Sequence, residues 1–436
     1  MRLIAPQRPL LWIVLGALVL RLAAAVWLQH VLDVQQRHFL ITGDAEGYWE
    51  LGREIARGES YQLYDPPRRV ERMPGYPAFV AASIRLSEAW GISPERQYFV
   101  ARLLLAVVGT LNCWLVARLG RELFDEPTGN LAAAIAAIAP PLIGFSVILL
   151  SETLFATGLL LCLWSMARLT LSAAAGGGLP RLLAWAALTG LSIALAVYVR
   201  PSWLLAAPGC AVLFALWMAK KHSVVRGLVP AAAVVLVAYG ALVPWAERNH
   251  RVTGHWVFTT LWVGPSLYDG FNPHATGDSD LKFVDDDRLS ERMSEYDVDQ
   301  HYRTEAWRFV REHPGRAAWL TLEKIKRYWM MWPNAKQFAG VLPKIAIAAY
   351  FIPLLLAAVG GWLAGPRNVW AWTLTLGPIL YFAAIHSLFL GSLRYRLPAE
   401  YPLCIASAVG LQLAWRYFNR GPNRAAGTTP ASPASA

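Results

Sequence analysis

Ten apolar stretches, each close to the roughly 20 residues that an α-helix needs to cross a bilayer, dominate this 436-residue chain. Hydrophobic residues make up 56% of the sequence and charged residues 16%, whereas soluble domains carry about 25% charged residues. The sequence therefore predicts an all-α polytopic membrane protein with about ten transmembrane helices. The predicted spans are residues 9–31, 99–119, 130–149, 150–167, 182–199, 202–219, 226–246, 341–364, 369–390 and 397–417.

The basic residues of the short loops predict how this bundle is oriented. They precede the first span or follow even-numbered spans, and the positive-inside rule places such loops in the cytoplasm. Both termini are then cytoplasmic, and the long polar regions lie on the opposite, outer face. Much of the net charge of +11 is explained in this way, so we expect no nucleic acid as a partner. The basic residues are Arg2, Arg8, Arg118, Arg121, Arg168, Arg181, Lys220, Lys221, Arg226, Arg367, Arg416 and Arg420.

Residues 1–420 are predicted to form one transmembrane domain with two long outer regions. The first is the outer loop 33–98, which is predicted to be catalytic, and the second is the region 247–340. Within the second region, residues 302–332 place aromatic side chains among Arg and Lys, which predicts an amphipathic helix lying along the membrane interface. Residues 421–436 are low in complexity and are predicted to be disordered.

The first outer loop carries the acidic motif GDAEGYW, residues 43–49, just beyond the first span. A carboxylate that is partly shielded from water can have its pKa raised towards a value useful for a general base. Asp44 and Glu46 are therefore candidate site residues. Asp44 could equally be the N-cap of a helix that starts near Glu46, and the residue types leave both interpretations open.

Glu152 stands among apolar residues in the sequence LLSETLF. A carboxylate at membrane depth is costly, so it is expected to face a cavity or a charged partner. The functional interpretation makes Glu152 a second acidic site residue on the same outer face as Asp44. The alternative is a structural ion pair with Arg21, which lies midway through the first span.

Four arginines occur at the outer ends of spans or in the outer loops, namely Arg72, Arg200, Arg394 and Arg396. Positive charge on this face runs against the positive-inside bias, and the planar guanidinium group is suited to binding phosphate oxygens. We therefore predict that some of these arginines bind an anionic ligand. The alternative is that they form salt bridges or reach lipid headgroups, as single arginines commonly do.

No motif in the sequence predicts a metal or cofactor site. The acidic clusters at 278–280 and 285–287 lack the glycine and the final glutamate of a calcium-binding EF-hand loop, so they are interpreted as solvated loop acids. The nine histidines show no paired metal-binding spacing. We expect no cofactor, and a role for a divalent metal is left open.

The motifs around these residues resemble a known family, the GT-C glycosyltransferases of family 39. That family uses polyprenyl-phosphate sugars and includes protein O-mannosyltransferases and the lipid A aminoarabinose transferase. The resemblance implies a GT-C-like bundle with extracytoplasmic loops and juxtamembrane helices. The motifs follow the order of the family and read GDAEGYWELGREIARG, RMPGYPAFVAA, LLSETLFATGLLL, ALAVYVRPSWLLAAP and LRYRLPAEYPLCIASAVGL.

The resemblance also implies individual roles. Asp44 matches the presumed catalytic base, Glu152 matches the family's second acid, and Arg72 matches a residue that binds lipid phosphate. Many members have two adjacent acids in the first loop, whereas Ala45 separates Asp44 from Glu46 here. The other residues of these motifs that we expect to contact substrate are Glu46, Tyr76, Arg200, Arg394, Tyr395 and Arg396.

The predicted function is transfer of a hexose or pentose from a polyprenyl phosphate to an acceptor on the outer face of the plasma (inner) membrane, with inversion. A carboxylate would remove the acceptor's proton, and arginines would stabilise the charge that develops on the phosphate. The sequence leaves the acceptor open among a lipid, a glycan and a protein. The alternative is a non-catalytic flippase or transporter of lipid-linked sugars, which would need polar residues on both faces and midway through several helices.

Overall fold

The computed structural model of the chain describes residues 8–221, 223–332 and 340–419. Within these ranges the chain is almost entirely helical and contains no β-strand, so the predicted all-α class is confirmed. The tail 421–436, predicted to be disordered, lies outside the described residues. The α-helices are α1 (Arg8–Val34), α2 (Asp44–Arg57), α3 (Gly75–Ala89), α4 (Pro94–Leu123), α5 (Glu126–Ile138), α6 (Pro140–Phe145), α7 (Glu152–Ala174), α8 (Leu179–Val199), α9 (Ala206–Lys221), α10 (Val224–Gly240), α11 (Val243–Thr253), α12 (Val263–Gly270), α13 (Lys282–Asp287), α14 (Glu295–Glu312), α15 (Pro314–Tyr328), α16 (Val341–Ala364), α17 (Val369–Leu388) and α18 (Leu393–Asn419).

Eight helical segments of the described chain are long and apolar enough to cross a membrane. They coincide with eight of the ten predicted spans, and the chain is a multi-pass membrane protein. The predicted count of about ten is approximate, because the third predicted span is a broken helix and the tenth, within α18, is not among the eight segments. The eight segments are Pro9–Val34, Pro94–Leu123, Glu152–Ala174, Leu179–Val199, Pro201–Lys221, Val224–Thr253, Val341–Ala364 and Val369–Leu388.

The third predicted span is a broken helix, α5 followed by α6. Ala139 has a ψ of 115° and ends α5, because the following Pro140 disfavours the helical conformation at the residue before it. The side chain of Arg21, inside α1, donates to the carbonyl oxygens of Ala137 at 3.2 Å and Ala136 at 3.1 Å. The break leaves such carbonyls without helical partners, so this buried arginine caps α5 within the bundle.

The tenth predicted span lies within α18, which is a central helix of the bundle. Its residues from Arg396 to Gly410 are all buried, and it packs against α16, α17, α5 and α7. Gly410 permits a close approach to α16, since a Cβ atom there would lie 1.9 Å from the carbonyl oxygen of Ala357. Small residues commonly allow membrane helices to pack this closely. Arg396 and Glu400, near the start of α18, therefore face protein.

Helices α12, α14 and α15 share a small hydrophobic core that is separate from the main one. The predicted amphipathic region is helical, as expected, but it is divided between α14 and α15 at His313 and Pro314. Helix α15 also packs against α17, and its Leu320 is fully buried in the small core. The same helix exposes Trp319 and Leu322, which is typical of a helix at a membrane interface. Its interfacial position stays a prediction.

Candidate active site

A cavity of about 890 Å³ opens at one end of the bundle. It lies where the two long polar regions meet the ends of α8 and α17 and the start of α18. Five of the nine predicted site residues line this cavity: Asp44, Arg72, Arg200, Arg394 and Tyr395. The other four, which do not line it, are Glu46, Tyr76, Glu152 and Arg396.

Asp44 is placed by the turn that begins α2. Gly43 has a φ of +73°, which glycine tolerates because it has no Cβ atom. The exposed Glu46 accepts a hydrogen bond from the Gly43 N–H at 3.1 Å, so Glu46, and not Asp44, caps the helix. The N-cap interpretation of Asp44 is therefore wrong, and Glu46 has a structural role outside the cavity. The Asp44 side chain is 37% exposed and lines the cavity.

The Asp44 carboxylate bridges two arginines. Its Oδ1 accepts a hydrogen bond from Nη1 of Arg72 at 2.9 Å, and its Oδ2 accepts one from Nη1 of Arg394 at 2.7 Å. Burial alone would raise the pKa of Asp44, but the two guanidinium groups outweigh it and hold that pKa well below its usual range. Asp44 is therefore ionised, and both of its oxygens are bound to cations.

Glu152 lies behind the cavity wall, where it holds two of the cavity arginines. It is only 2% exposed, and its Oε1 accepts hydrogen bonds from Nε of Arg394 and, at 2.7 Å, from Nη1 of Arg200. The alternative partner, Arg21, binds the backbone of α5 instead, so a structural Glu152–Arg21 pair is excluded. Because Glu152 does not line the cavity, its geometry fits a positioning residue better than a carboxylate in contact with substrate.

Arg68 and Glu71 extend the charged cluster from Arg72 along the cavity wall. Glu71 lies 3.2 Å from Arg68 and 3.7 Å from Arg72. The charges therefore alternate, with four guanidinium groups and three carboxylates, and the cluster carries one net positive charge. This excess of positive charge favours an anion as the ligand of the cluster. In order, the ion chain is Arg68, Glu71, Arg72, Asp44, Arg394, Glu152 and Arg200.

Tyr76 lies beneath this ion chain and is fully buried. Its ring packs edge-on against Tyr48, with 4.9 Å between the ring centroids. Tyr48 lines the cavity, lies 4.9 Å from the Arg72 guanidinium group and shares a 3.3 Å hydrogen bond with Ser151. Tyr48 was not singled out from the sequence, yet it is the tyrosine of this pair that a ligand can reach.

His386 is a cavity residue that sequence reasoning missed. Its imidazole ring stacks on Tyr395 with 4.3 Å between centroids, and Tyr395 lies 5.2 Å from the guanidinium group of Arg200. His386 is 8% exposed, and its Nδ1 has no hydrogen-bond partner among the described residues. The available signal was a histidine within the apolar run AIHSLFL, because polar groups at membrane depth are often functional.

Arg396 points away from the cavity, although it stands only two residues after Arg394. It is fully buried and donates to Oε1 of Glu400 at 2.8 Å and to the carbonyl oxygens of Tyr328 at 2.9 Å and Met330 at 3.0 Å. These contacts fasten α18 to the end of α15. The geometry is therefore that of a packing residue and gives no support to the prediction that Arg396 binds substrate.

The far end of the cavity is lined by the second outer region. The rings of Trp262 and Tyr64 lie 5.0 Å and 4.9 Å from the guanidinium group of Arg68. Ser279 and Asp285 come from the acidic segment 278–287 and also line the cavity. The five acids of this segment are exposed, as their interpretation as solvated loop acids predicts, and Asp285 in addition lines the cavity.

Within residues 8–221, 223–332 and 340–419, no group of three or more His, Cys, Asp or Glu side chains is arranged to hold a metal ion. The carboxylates of the ion chain are instead paired with arginines. The four cysteines are buried and form no disulfide. They are Cys113, Cys162, Cys210 and Cys404.

No protein-family model matches this sequence, and no curated protein sequence matches it. Solved structures, in contrast, match it at low sequence identity. The apo oligosaccharyltransferase of Archaeoglobus fulgidus has a TM-score of 0.57 and 15% identity, over 96% of this chain and 52% of that chain. The archaeal oligosaccharyltransferase AglB from the same organism, in complex with an inhibitory peptide and a dolichol-phosphate, has a TM-score of 0.54 and 14% identity over the same shares.

ArnT from Cupriavidus metallidurans, bound to undecaprenyl phosphate, has a TM-score of 0.43 and 15% identity, over 98% of this chain and 82% of that chain. The fold assignment rests on the oligosaccharyltransferase structures. This chain spans about half of their length. Those matches cover nearly all of this chain, and they confirm the GT-C-like bundle that the sequence motifs imply. The chain therefore has a GT-C-like fold, with its charged cavity at one end of the membrane helices.

Proposed function

We propose that this protein transfers a sugar from a polyprenyl phosphate to an acceptor in the cavity that Asp44 lines. The observation that carries the proposal is one cavity that combines a potential base with three arginines able to bind phosphate. The guanidinium group presents a planar fork of donors that matches phosphate oxygens. The likeness in fold to an oligosaccharyltransferase solved with a dolichol-phosphate supports a lipid-linked phosphate as the ligand.

The apolar part of the cavity wall supports a lipid as the carrier of that phosphate. Leu204 and Leu205 follow the turn at the end of α8, and Ile385 and Phe389 come from the end of α17. Leu205 is largely exposed, so this side of the cavity continues onto the apolar surface of helices assigned to the bilayer. A hydrocarbon chain entering there would remain in the membrane while its phosphate reached Arg200.

The net charge of the ion chain supports a donor with a single phosphate group. A sugar phosphodiester carries one negative charge, which would balance the one excess positive charge of the cluster. A diphosphate carries a further negative charge, which this excess would not balance. We therefore assign a sugar linked to the lipid through one phosphate.

In the proposed reaction, Asp44 removes the proton of an acceptor hydroxyl, and the acceptor oxygen attacks the anomeric carbon of the sugar. The bond between that carbon and the phosphate oxygen breaks, and its electron pair remains on the phosphate. Arg72, Arg200 and Arg394 stabilise the negative charge that develops there. One displacement inverts the anomeric carbon, and Asp44 later returns its proton to solvent.

The two ion pairs of Asp44 link the strength of this base to donor binding. While Arg72 and Arg394 hold both carboxylate oxygens, Asp44 is a weak base. A donor phosphate competes for the same two guanidinium groups, which raises the pKa of Asp44 towards a useful value. Asp44 is therefore expected to become an effective base only when a donor is bound.

We also propose that the cavity faces away from the cytoplasm in the plasma (inner) membrane, with both termini cytoplasmic. The distribution of Lys and Arg among the short loops supports this orientation. The charged residues of the cavity come from loops that the rule assigns to the opposite face. Their concentration in one cavity favours an enzyme over a flippase, which needs polar residues along a path through the membrane.

The experiment follows release of undecaprenyl phosphate from undecaprenyl-phosphate sugars by the purified protein, with membrane extract as the source of acceptor. Asp44→Asn preserves the size of the side chain but not its basicity, so we expect release to fall by about 10²–10⁴-fold. Glu50→Gln is the matched control, because Glu50 lies on the same helix and pairs with Arg53 at the surface.

Wild-type release by Glu50→Gln and loss in Asp44→Asn would support the proposal. Equal release by wild type and Asp44→Asn would contradict the assignment of the base. No release with any donor, together with movement of lipid-linked sugar across vesicles, would favour the flippase instead.

A further inference from the structure

The proposed reaction leaves the far end of the cavity, lined by residues 259–285, without a role. This end differs in chemistry from the arginine end. It is lined by the half-buried Trp262, the exposed Ser279 and Asp285, and the buried Asp269. Indole faces, hydroxyl groups and carboxylates are the groups that can pack against and hydrogen-bond a polyhydroxylated ring.

This part of the wall is held in place by a buried carboxylate. Asp269 is 1% exposed and accepts hydrogen bonds from the hydroxyl group of Ser279 at 2.7 Å and from the N–H of Asp280 at 2.9 Å. Buried hydrogen bonds to an ionised group are among the stronger ones in proteins. Asp269 therefore fixes the start of the acidic segment against α12, and the segment forms a built wall.

Two groups of this wall remain available to a ligand. Within the described residues, the indole N–H of Trp262 donates no hydrogen bond and the Asp285 carboxylate has no hydrogen-bond or ion-pair partner. Asp285 and the neighbouring Asp286 are both exposed, but only Asp285 lines the cavity. Asp285 is therefore distinguished from the rest of the acidic segment by its place in the wall.

The far end is also connected to the reacting end. The guanidinium group of Arg68 lies beside Trp262 at 5.0 Å, and Arg68 begins the ion chain that continues through Glu71 and Arg72 to Asp44. A ligand whose phosphate lies among the arginines therefore has the far end next to it.

The charge of the far end restricts what it can bind. The free carboxylate of Asp285 is not neutralised by Arg68, because that arginine already pairs with Glu71. A sugar ring carrying a carboxylate would place that charge beside the like charge of Asp285, which lowers affinity. A neutral ring or one bearing an amine meets no such penalty.

We propose that the end of the cavity formed by Trp262, Asp269, Ser279 and Asp285 holds the sugar of the lipid-linked donor and selects a neutral or amine-bearing sugar over an acidic one. This inference rests on the proposed function, since it assumes a donor whose phosphate occupies the arginine end. It names the donor's sugar class and assigns a specificity role to the acidic segment.

The test measures equilibrium binding of three lipids to the full chain in lipid nanodiscs. The probes are undecaprenyl phosphate, undecaprenyl-phosphoglucose and undecaprenyl-phosphogalacturonate. We expect the wild type to bind the glucose lipid about tenfold more tightly than the galacturonate lipid. Asp285→Asn should reduce this preference to about threefold or less, and it should leave affinity for undecaprenyl phosphate unchanged.

Asp286→Asn is the matched control, because it removes the same charge from the adjacent position outside the cavity. It should retain the full wild-type preference. Equal binding of the two sugar lipids by the wild type, or a preference unaffected by Asp285→Asn, would overturn the sugar subsite while leaving the proposed function intact. Failure of the wild type to bind any of the three lipids would instead overturn the proposed donor class, and the subsite with it.

Discussion

Arg394 and Arg396 stand two residues apart in one motif, yet they belong to two different kinds of ion cluster. Arg394 lines the cavity and holds Asp44 and Glu152, whereas Arg396 is fully buried and uses its donors on Glu400 and two backbone carbonyls. Residues two apart on an α-helix are separated by about 200° and so point in nearly opposite directions. An arginine in an apolar motif is therefore a candidate ligand-binding residue only where its donors face a cavity.

The largest effect on activity should come from substitution of Arg394, the arginine of this pair that lines the cavity. Arg394→Gln removes a donor that would stabilise the leaving phosphate, so we expect release of undecaprenyl phosphate to fall by about 10³-fold. Thermal stability should stay close to wild type, because Asp44 and Glu152 keep Arg72 and Arg200 as partners. Arg53→Gln, at an exposed surface pair, is the control. Activity within tenfold of wild type would show that Arg394 does not contact the phosphate.

Substitution of the buried Arg396 should lower stability and leave activity unchanged. Arg396→Gln leaves Glu400 as an uncompensated buried charge, and we expect the free energy of unfolding to fall by about 3 kcal/mol. The rate per folded molecule should be unchanged. The double variant Arg396→Met with Glu400→Leu should recover much of the stability, because no charge is then left unpaired. A stable Arg396→Gln variant with reduced donor affinity would instead make Arg396 a substrate residue.

Glu152→Gln should give an intermediate effect, because Glu152 supports the cavity arginines from behind. Without its charge, Arg200 and Arg394 are less well fixed, and we expect the KM for the donor to rise by about tenfold with a smaller change in kcat. In Glu152→Gln, kcat should still fall at low pH as in the wild type, because this acid limb reports protonation of the base, Asp44. Disappearance of that limb in Glu152→Gln would show that Glu152, rather than Asp44, is the base.

The smallest expected effect is a shift between two pH profiles of the wild type. The pKa of Asp44 is depressed by its arginines, so its base form persists to low pH and is lost as the pH falls through that pKa. A donor phosphate that engages Arg72 and Arg394 should raise this pKa. The acid limb of kcat, which reports the donor complex, should therefore lie at higher pH than that of kcat/KM, which reports the free protein. Coincident limbs would contradict competition between Asp44 and phosphate for the same arginines.

The sequence predicted the meeting of Asp44, Arg72, Arg200 and Arg394 because charge bias assigns loops to faces of a membrane. Polar residues at the ends of spans on one face are then close in space, even when they are far apart in the chain. The resemblance to a known family implied the fold and matched the order of the motifs along the chain, and the solved structures confirm that fold. The catalytic roles remain proposals.

The sequence could not predict which way each side chain points, because the position of a loop does not determine how the adjoining helix is rotated. Arg396 and Tyr76 lie in the expected motifs, but the phase of each helix turns them into the protein. Glu46 caps α2, which could be seen only once the helix was known to begin at Asp44. His386 and Asp285 belong to elements distant in the chain from the first loop, and only tertiary packing brings them to the same cavity.

The claim that the cavity cluster binds the lipid phosphate is tested most directly by comparing undecaprenyl phosphate binding by three proteins in lipid nanodiscs. They are the wild type, Arg394→Gln, and the double variant Arg396→Met with Glu400→Leu. We predict that Arg394→Gln binds at least about tenfold more weakly, since it loses one charge-assisted contact, while the double variant binds like wild type. Equal binding by all three, or weakening in the double variant alone, would contradict the claim that the cavity cluster is where the lipid phosphate binds.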